Sequence, residues 1–484
     1  MKLRFISLSI ANVLCACTVG KDYHKPTLDL NEEWKTLQEN RELILRLTPP
    51  ETEGKKPQKS ASWWKGFSDD TLVQLVDKAF EGNNDLKIVQ ARIIEARANE
   101  RLSVSAYFPQ IDATTNTTRE KSRGAGGDII DTTSQSGING SWDIDLFGGN
   151  RRLREAAGAE FQAVEADASQ TRLALIAEVA RNYVRLRAAQ QQFAITQRNL
   201  NLQKDTLAVT KGQRKEGAVS DLDVARAEAQ AVATKARLPQ IKASISSLLN
   251  RLSILTGEQP GTLNQMLSNV KAVPKTSPKF VMDAPVNAIA NRPDVKAAER
   301  RLAKATSLSA AAVADFYPKL SLQGFFGIYH SELYGSVSPW STTASALLPL
   351  LNFGKLTSQS NAADARTEQA LSTYKQTVLL AMEEVESSLS NYINELNRHD
   401  SLVLVAKHQA KAAKIAREQY KSGVLVQIDL LLAERSLLDA ENDVVLSEQA
   451  VAEDLILLYR ALGDSGEEQK PAEQKDAEPS DKKN

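Results

Sequence analysis

The sequence predicts a mainly α-helical chain built from two similar halves, each of which also contributes a pair of β-strands to a transmembrane β-barrel. Three observations predict this fold: motifs that recur about 200 residues apart, two long helical stretches, and alternating segments just before each stretch. A duplicated unit of this size exceeds the roughly 20–50 residues of a solenoid repeat. We therefore expect one fold built twice, with four strands per chain.

Motifs of three different kinds occur twice in the chain. AYFPQI at 106–111 returns as DFYPKL at 315–320, DLFGG at 145–149 as LNFGK at 351–355, and GAVSDLD at 217–223 as GVLVQID at 423–429. The offset in residue number is 209 for the first motif, from Pro109 to Pro318, and 206 for the other two. The difference falls in a Gly/Ser/Thr-rich stretch, where a longer loop costs little free energy.

A very long helix is predicted in each half. After Gly149 the chain runs some 67 residues to Glu216 without proline and with only two glycines, and it is rich in good helix formers. At ~1.5 Å per residue such a helix reaches about 100 Å, more than a globular domain needs. One narrow stripe of residues along the helix, called the seam here, is suited to contact with other helices. A narrow seam indicates close neighbours at the sides of the helix, as in helices that line a hollow cylinder.

The seam follows a heptad spacing, in alternating steps of four and three residues. In the first half it comprises Leu175, Val179, Asn182, Leu186, Ala189, Phe193, Thr196, Leu200, Gln203 and Leu207. In the second half it comprises Val385, Leu389, Tyr392, Leu396, His399, Val403, Ala406, Ala410 and Ala413.

The segments before the long helices alternate with a two-residue period. The clearest positions are Ile138, Gly140, Trp142, Ile144 and Leu146, then Leu320, Leu322, Phe326 and Ile328, with a weaker set at Ile111, Ala113 and Thr115. Strands of about ten residues with aromatic ends are typical of outer-membrane barrels. Because ~8 strands only just enclose packed side chains, four strands require several chains per barrel. The alternative is a soluble hairpin packed on the helices.

Composition favours neither an enzyme nor a nucleic-acid-binding protein. Lys plus Arg equals Asp plus Glu at 60 each, so no global basic field attracts nucleic acid. The four histidines, at 24, 330, 399 and 408, make no metal-ligand pattern, and His399 suits packing in the seam. No phosphate-binding glycine loop, nucleophile elbow or zinc motif occurs. No catalytic residue, cofactor or metal is predicted.

The N-terminus predicts a lipoprotein signal. Basic Lys2 and Arg4 precede a short apolar stretch and a Leu14-Cys15-Ala16-Cys17 box. Cleavage before Cys17 makes 1–16 the signal peptide and Cys17 the lipid attachment site. An ordinary signal peptide and a C-x-C metal or disulfide site remain alternatives. No other run approaches the ~18 apolar residues of a spanning helix.

Several motifs together resemble the TolC family of outer-membrane efflux proteins, in its lipid-anchored branch of NodT and OprM type. They are CTVGKDYHKP at 17–26, Trp63-Trp64, YFP at 107–109, WDIDLFG at 142–148 and YKSG at 420–423, in order and at the right spacing. The likeness runs from about residue 17 to Gly463. It implies a homotrimer in which three chains form one 12-stranded barrel and a long α-helical barrel projects into the periplasm.

The resemblance also implies the organisation of the chain. The predicted segments are a signal peptide at 1–16, a lipidated N-terminal and equatorial segment at 17–68, a first repeat at 69–256, a linker at 257–284, a second repeat at 285–463 and a disordered polar tail at 464–484. Within the repeats, Pro239 predicts a kink or break, and Asn291-Arg292-Pro293-Asp294 predicts the start of the second half's first helix.

The function implied is the outer-membrane duct of a tripartite efflux pump. It receives small molecules from an inner-membrane RND-type pump and a periplasmic adaptor, and it contacts outer-membrane lipids. Two alternatives remain open: an export duct for a type I protein secretion system, and a periplasmic coiled-coil scaffold anchored by lipid.

The family's functional sites carry over to two turns and the helix ends beside them. The adaptor-contacting tips are Gly217, Ala218, Val219 and Ser220, and Gly423, Val424, Leu425 and Val426, whose last three residues we expect to be exposed. The periplasmic gate comprises Asp223, Tyr420, Asp429 and Leu432. By resemblance Tyr420 bonds to Asp223 of the neighbouring helix pair and holds the closed state. Asp429 points into the pore and joins a threefold acidic ring that binds cations.

This chain departs from the family pattern at Leu432, where relatives often carry a second aspartate. The acidic ring is therefore thinner, and cation block is in doubt. The alternative for the two aspartates is that they are solvated residues at helix starts, favoured there by the helix dipole. The alternative for the two tips is that they are only turns.

Overall fold

The computed structural model describes residues 18–27, 30, 33–40, 63–124, 127–275 and 285–463. The predicted signal peptide, Cys17 and the polar tail lie outside the described residues, as does most of the second half of the linker. Within the described part the chain is mainly helical and carries one antiparallel sheet.

The elements follow one another in the same order in the two halves. The helices are α1 (Lys35–Glu39), α2 (Asp70–Gly82), α3 (Asn84–Ser105), α4 (Gly149–Lys215), α5 (Asp221–Leu255), α6 (Pro285–Asn291), α7 (Pro293–Ala314), α8 (Lys355–Lys421) and α9 (Gln427–Ala461). The strands are β1 (Gln110–Gly124), β2 (Gly127–Ile144), β3 (Lys319–Ser331), β4 (Gly335–Val337) and β5 (Trp340–Leu347).

The two long helices are confirmed. Both α4 and α8 contain 67 residues, and both α5 and α9 contain 35. Helices α8 and α9 begin and end 206 residues after α4 and α5, which is the offset of the second and third motifs. For example, α4 begins at 149 and α8 at 355, and α5 begins at 221 and α9 at 427. The repeat seen in the motifs is therefore also a repeat of the helices.

Burial confirms the first seam and corrects the second. In α4 the seam positions are buried or half-buried along the whole predicted stretch. In α8 the seam is buried from Val385 to Tyr392, but Val403 and Ala410 are exposed. Regular spacing selects a face of the helix, whereas the neighbours that cover that face come from the fold.

Two predictions about prolines need correction. The predicted break at Pro239 is wrong, because α5 runs through it from Asp221 to Leu255, while a kink there stays a prediction. Pro293 does open a helix, α7, where its missing N–H costs no hydrogen bond. The seven-residue α6 precedes it, so α7 is the second helix of that half.

The sheet has the order β1-β2-β3-β4, with β5 also pairing β3. Strands β1 and β2 have 15 and 18 residues, longer than the ten expected. The fourth strand is interrupted and forms the two segments β4 and β5. Pro339 lies between them and has no N–H for the ladder, although its carbonyl accepts a hydrogen bond from Gly327 N.

The described residues separate into two compact units, and each unit takes segments from both halves. One unit holds the sheet, with parts of the helices beside it. The other holds the main apolar core, in which Trp63 stacks on Tyr459 with ring centroids 5.2 Å apart. The boundaries of the predicted domains remain a prediction.

None of the described helices is long and apolar enough to cross a membrane.

Candidate functional site

The two predicted tips are tight turns that join the long helices to the shorter ones. Gly217 and Gly423 have φ of +79° and +74°, the left-handed conformation that glycine adopts without strain. In each turn the next residue's N–H reaches a carbonyl of the preceding helix, from Ala218 to Gln213 and from Val424 to Gln419. This six-to-one bond ends both helices in the same way.

At the first tip, polar groups of the turn and of the helix ends beside it bond to one another. Ser220 caps α5 in a capping box with Asp223, whose carboxylate accepts from the Ser220 N–H at 3.0 Å. The Ser220 hydroxyl bond lowers the pKa of Asp223. Arg214 pairs with Asp221 at 2.7 Å and lowers the pKa of that carboxyl.

The second tip is apolar and has no side-chain cap. Val426 occupies the cap position of α9, where its side chain cannot accept a hydrogen bond. Val424 and Val426 are exposed, as predicted. Leu425 is not, because it packs half-buried against Ala416, Tyr420 and Leu430. The exposed apolar surface therefore consists of the two valines.

The predicted bond between Tyr420 and Asp223 does not occur within the chain. The buried Tyr420 hydroxyl donates to Gln213 Oε1 at 2.9 Å and lies 2.9 Å from Thr210 Oγ1. Asp223 faces its own helix start, where Ser220 already engages its carboxylate. Tyr420 instead joins α8 to α4 through Gln213 and Thr210, and the role of Tyr420 in a gate stays a prediction.

Sequence reasoning missed a buried ion pair beside Tyr420. Arg417 Nε donates to Glu434 Oε1 at 2.9 Å and links α8 to α9. The side chain of Glu434 is only 2% exposed. Arg417 stands four residues before the end of α8 and Glu434 stands seven residues after the start of α9, and the antiparallel packing of the two helices brings them together. Opposite charges on the two sides of the turn were the signal that could have predicted the pair.

The two remaining gate residues lie on one exposed face of α9. Asp429 and Leu432 are three residues apart, which makes them neighbours on a helix surface, and both are exposed. Asp429 makes no ion pair with any other described residue. The single chain therefore presents one carboxylate and one large apolar side chain together, available to other copies.

Among the residues the structure describes, no group of three or more His, Cys, Asp or Glu is placed to hold a metal ion. His399 instead lies 2.8 Å from the Ser447 hydroxyl.

The geometry can be set beside known proteins. A family model described as outer membrane efflux protein matches residues 75–258 and 284–464, most of the chain. The chain belongs to this family. The two matched segments start and end near the two repeats read from the sequence.

Individual relatives are similar over nearly their full lengths. The solvent efflux pump outer membrane protein SrpC of Pseudomonas putida is 27% identical, with 96% of this chain and 98% of the relative covered. Nodulation protein T of Rhizobium leguminosarum bv. trifolii is also 27% identical, with 95% and 97% covered. Among solved structures, the outer-membrane channel OprN is 32% identical with a TM-score of 0.83, and 92% of this chain and 99% of that one are covered.

Proposed function

We propose that this protein is the outer-membrane duct of a tripartite efflux pump and passes small molecules from an inner-membrane RND-type pump and a periplasmic adaptor to the exterior. The observation that carries the proposal is a pair of 67-residue helices that end in two like turns, in a chain of the outer membrane efflux protein family. Long helices with narrow seams suit a hollow tube that several chains build together.

The proposed assembly is a homotrimer. Its sheets join into one 12-stranded barrel in the outer membrane, and its long helices form an α-helical barrel that extends into the periplasm. A duct of this kind needs no energy source of its own, because the inner-membrane pump supplies the work. No described group of residues suggests an enzymatic step.

The two tips are the proposed contact sites for the adaptor. The exposed Val424 and Val426 offer apolar surface that no described residue covers, and burying it against a partner is favourable. At the first tip the exposed residues Gly217, Ala218 and Ser220 are small or polar instead, and Val219 is half-buried. A partner that engages both turns therefore meets one apolar and one polar contact per chain.

Gating belongs to the helix ends just inside the tips. Tyr420 holds α8 against α4 through Gln213 and Thr210, and Asp429 with Leu432 lines the constriction. Three copies of Asp429 around a narrow pore repel one another and attract cations. Leu432 places an apolar ring one turn further along the helix. Opening requires the Tyr420 contacts to break.

The residues of this chain do not identify the substrate. The relatives named above include a solvent efflux pump protein and a nodulation protein, and their names do not agree on one substrate for this chain. Selectivity then resides in the pump. Cys17 is the proposed lipid attachment site, and an anchor of this kind aids assembly at the membrane.

The test is the single-channel conductance of detergent-purified protein in a planar bilayer, with its mass measured in the same preparation. A trimer with small, stable currents supports the duct, and Asp429→Ala should then reduce cation selectivity. A monomer that never inserts into the bilayer would contradict the proposal and favour the lipid-anchored scaffold.

A further inference from the structure

A cavity of about 970 Å³ lies in the unit that holds the sheet. Its walls come from α3, the first turns of α4, α7 and the N-terminal segment at 18–27. Tyr107 and Phe108, which precede β1, line the part nearest the sheet. Four arginines and three carboxylic acids also line the cavity. The proposed duct, tips and gate give none of these charged groups a role.

Three of the four arginines are held by carboxylates of the chain. Arg152 is buried and pairs with Asp22 at 2.7 Å and Glu155 at 2.8 Å, Arg151 pairs with Glu155 at 3.2 Å, and Arg300 pairs with Glu299. Arg154 makes no ion pair with any residue that the structure describes. Its guanidinium carbon lies 6.0 Å from the centre of the Tyr107 ring, and the residue is exposed. The charge of Arg154 is therefore available to a ligand.

A carboxylate on α3 is also available. Glu100 is half-buried and lines the cavity, and it forms no ion pair within the described part of the chain. Its Oε1 lies 3.9 Å from the point where a Cβ on Gly158 would stand. Gly158 follows Arg154 by four residues, about one turn or ~5.4 Å along α4. The cavity thus offers a cation and an anion that are separated by roughly one helical turn.

The order of these groups matches the layers of a membrane leaflet. Aromatic residues typical of a barrel's interface lie beside the sheet, where Trp142 Nε1 donates to the Tyr107 carbonyl at 3.0 Å and Phe108 is 64% exposed. Arg154 follows in the second turn of α4, and Glu100 lies about one turn beyond it. A phospholipid with an amine in its headgroup presents acyl chains, phosphate and ammonium in this same order.

The internal repeat indicates that the fold does not require these arginines. The counterparts of Arg151, Arg152 and Arg154 in α8, at an offset of 206, are Thr357, Ser358 and Ser360. Helix α8 has the same 67 residues without a charge at any of the three positions. Cations near a helix start are moreover disfavoured by the helix dipole. Asp145 already accepts from the Arg151 N–H at 2.8 Å, so the arginines are not needed to cap α4.

We propose that this cavity binds the headgroup of phosphatidylethanolamine from the periplasmic leaflet of the outer membrane, with the phosphate at Arg154 and the ammonium at Glu100. The proposal rests on the membrane location given by the proposed function. A guanidinium suits phosphate because it donates two parallel N–H bonds, and a carboxylate accepts from an ammonium. A soluble phosphate ester offers the same groups, but the exposed Phe108 favours a ligand with acyl chains.

Native mass spectrometry of the detergent-purified protein can measure the binding of added lipids. The parent protein should bind phosphatidylethanolamine about tenfold more tightly than phosphatidylglycerol, which has the phosphate but no amine. Arg154→Ser should weaken the binding of both lipids about tenfold, because both lose the guanidinium. Glu100→Gln should weaken only the binding of phosphatidylethanolamine and remove the preference. The matched control is Arg101→Ser, at an exposed arginine of α3 that does not line the cavity, and it should change neither affinity.

Three results would overturn the proposal. Equal losses from Arg154→Ser and Arg101→Ser would show general attraction of lipid to a basic surface. Equal affinities of the parent protein for the two lipids would remove the assigned contact with the amine. Glycerophosphoethanolamine carries the headgroup without acyl chains, and binding as tight as that of the lipid would make a soluble ester the ligand.

The proposed function is tested separately in the same preparation. Any of these three results from a protein that still forms conducting trimers would overturn the lipid site and leave the duct intact. A parent protein that is monomeric and never inserts into a bilayer would instead contradict the proposed function.

Discussion

The hairpin of α4 and α5 and the hairpin of α8 and α9 have the same lengths and the same turn, but their ends carry different chemistry. Lys211 pairs with Glu228 in the first, at the positions that Arg417 and Glu434 occupy in the second. The Glu228 side chain is 49% exposed, whereas that of Glu434 is 2% exposed. Duplication preserved the scaffold, and the surroundings of each copy then gave equivalent positions different roles.

The same contrast holds at the tips. Ser220 caps the first short helix, and its counterpart Val426 cannot cap the second. Ala218 in the first turn corresponds to the exposed Val424 in the second. The polar groups at the end of the first hairpin thus bond to one another. The end of the second hairpin instead exposes two valines that a partner protein can cover. We make four predictions from the two hairpins, each with a matched control variant.

The largest effect is expected at the second tip. The double variant Val424→Asp/Val426→Asp places charges in the proposed apolar contact and should weaken adaptor binding about 100-fold. This loss corresponds to the ~2–3 kcal/mol of an interface hot spot. Ala218→Asp at the first tip should weaken it much less. Titration with the purified adaptor measures the affinity of each variant. Equal losses of adaptor affinity at the two tips would contradict the proposal that the second tip makes the stronger contact.

The next effect concerns the buried pair. Glu434→Gln removes the buried carboxylate that the half-buried Arg417 contacts and should destabilise the protein by about 1.5–3 kcal/mol, because a hydrogen bond between charged groups in a largely buried place is lost. The counterpart Glu228→Gln breaks an exposed pair and should cost less than about 1 kcal/mol. Thermal unfolding of the two variants measures the difference. Similar losses would mean that burial does not separate the two pairs.

A carboxylic acid in α9 provides a pH-dependent comparison. Burial, with Glu395 and Glu453 nearby, raises the pKa of Asp454 to about 6. The group therefore favours folding most at low pH, and its contribution falls as pH rises from about 4 through 6. Its counterpart in α5 is the apolar Leu248. Asp454→Asn should raise the free energy of unfolding at pH 8 by on the order of 1–2 kcal/mol, and not at pH 4.

A variant that gains as much stability at pH 4 as at pH 8 would show that ionisation of Asp454 is not the cause. Unfolding followed by circular dichroism in the same detergent at both pH values supplies the comparison. Asp443→Asn, on an exposed face of the same helix, is a suitable control.

The smallest effect is expected at the proposed gate. Tyr420→Phe removes the hydroxyl contacts with Gln213 and Thr210, about 1 kcal/mol, and should raise the open population roughly fivefold. Asp223→Asn leaves those contacts in place and should change conductance little. Single-channel recording compares the variants. A larger effect of Asp223→Asn would restore the partner implied by family resemblance.

Much of the candidate site could be predicted because it depends on local rules. Gly217 and Gly423 mark helix ends by their conformational freedom, and a proline-free run of helix formers predicted helices of the observed length. The partner of Tyr420 could not be predicted in this way. Thr210 and Gln213 belong to the other half of the sequence, and only the packing of α8 against α4 brings them near.

By itself, then, the sequence determined the repeat, its offsets, the two long helices and the two turns, since periodicity and glycine placement act within a few residues of chain. Only the tertiary structure decided which equivalent residues are covered. Glu434 is buried and Glu228 is not, and Leu425 packs while Val424 and Val426 stay exposed. Burial depends on neighbours distant in sequence, and no local pattern records them.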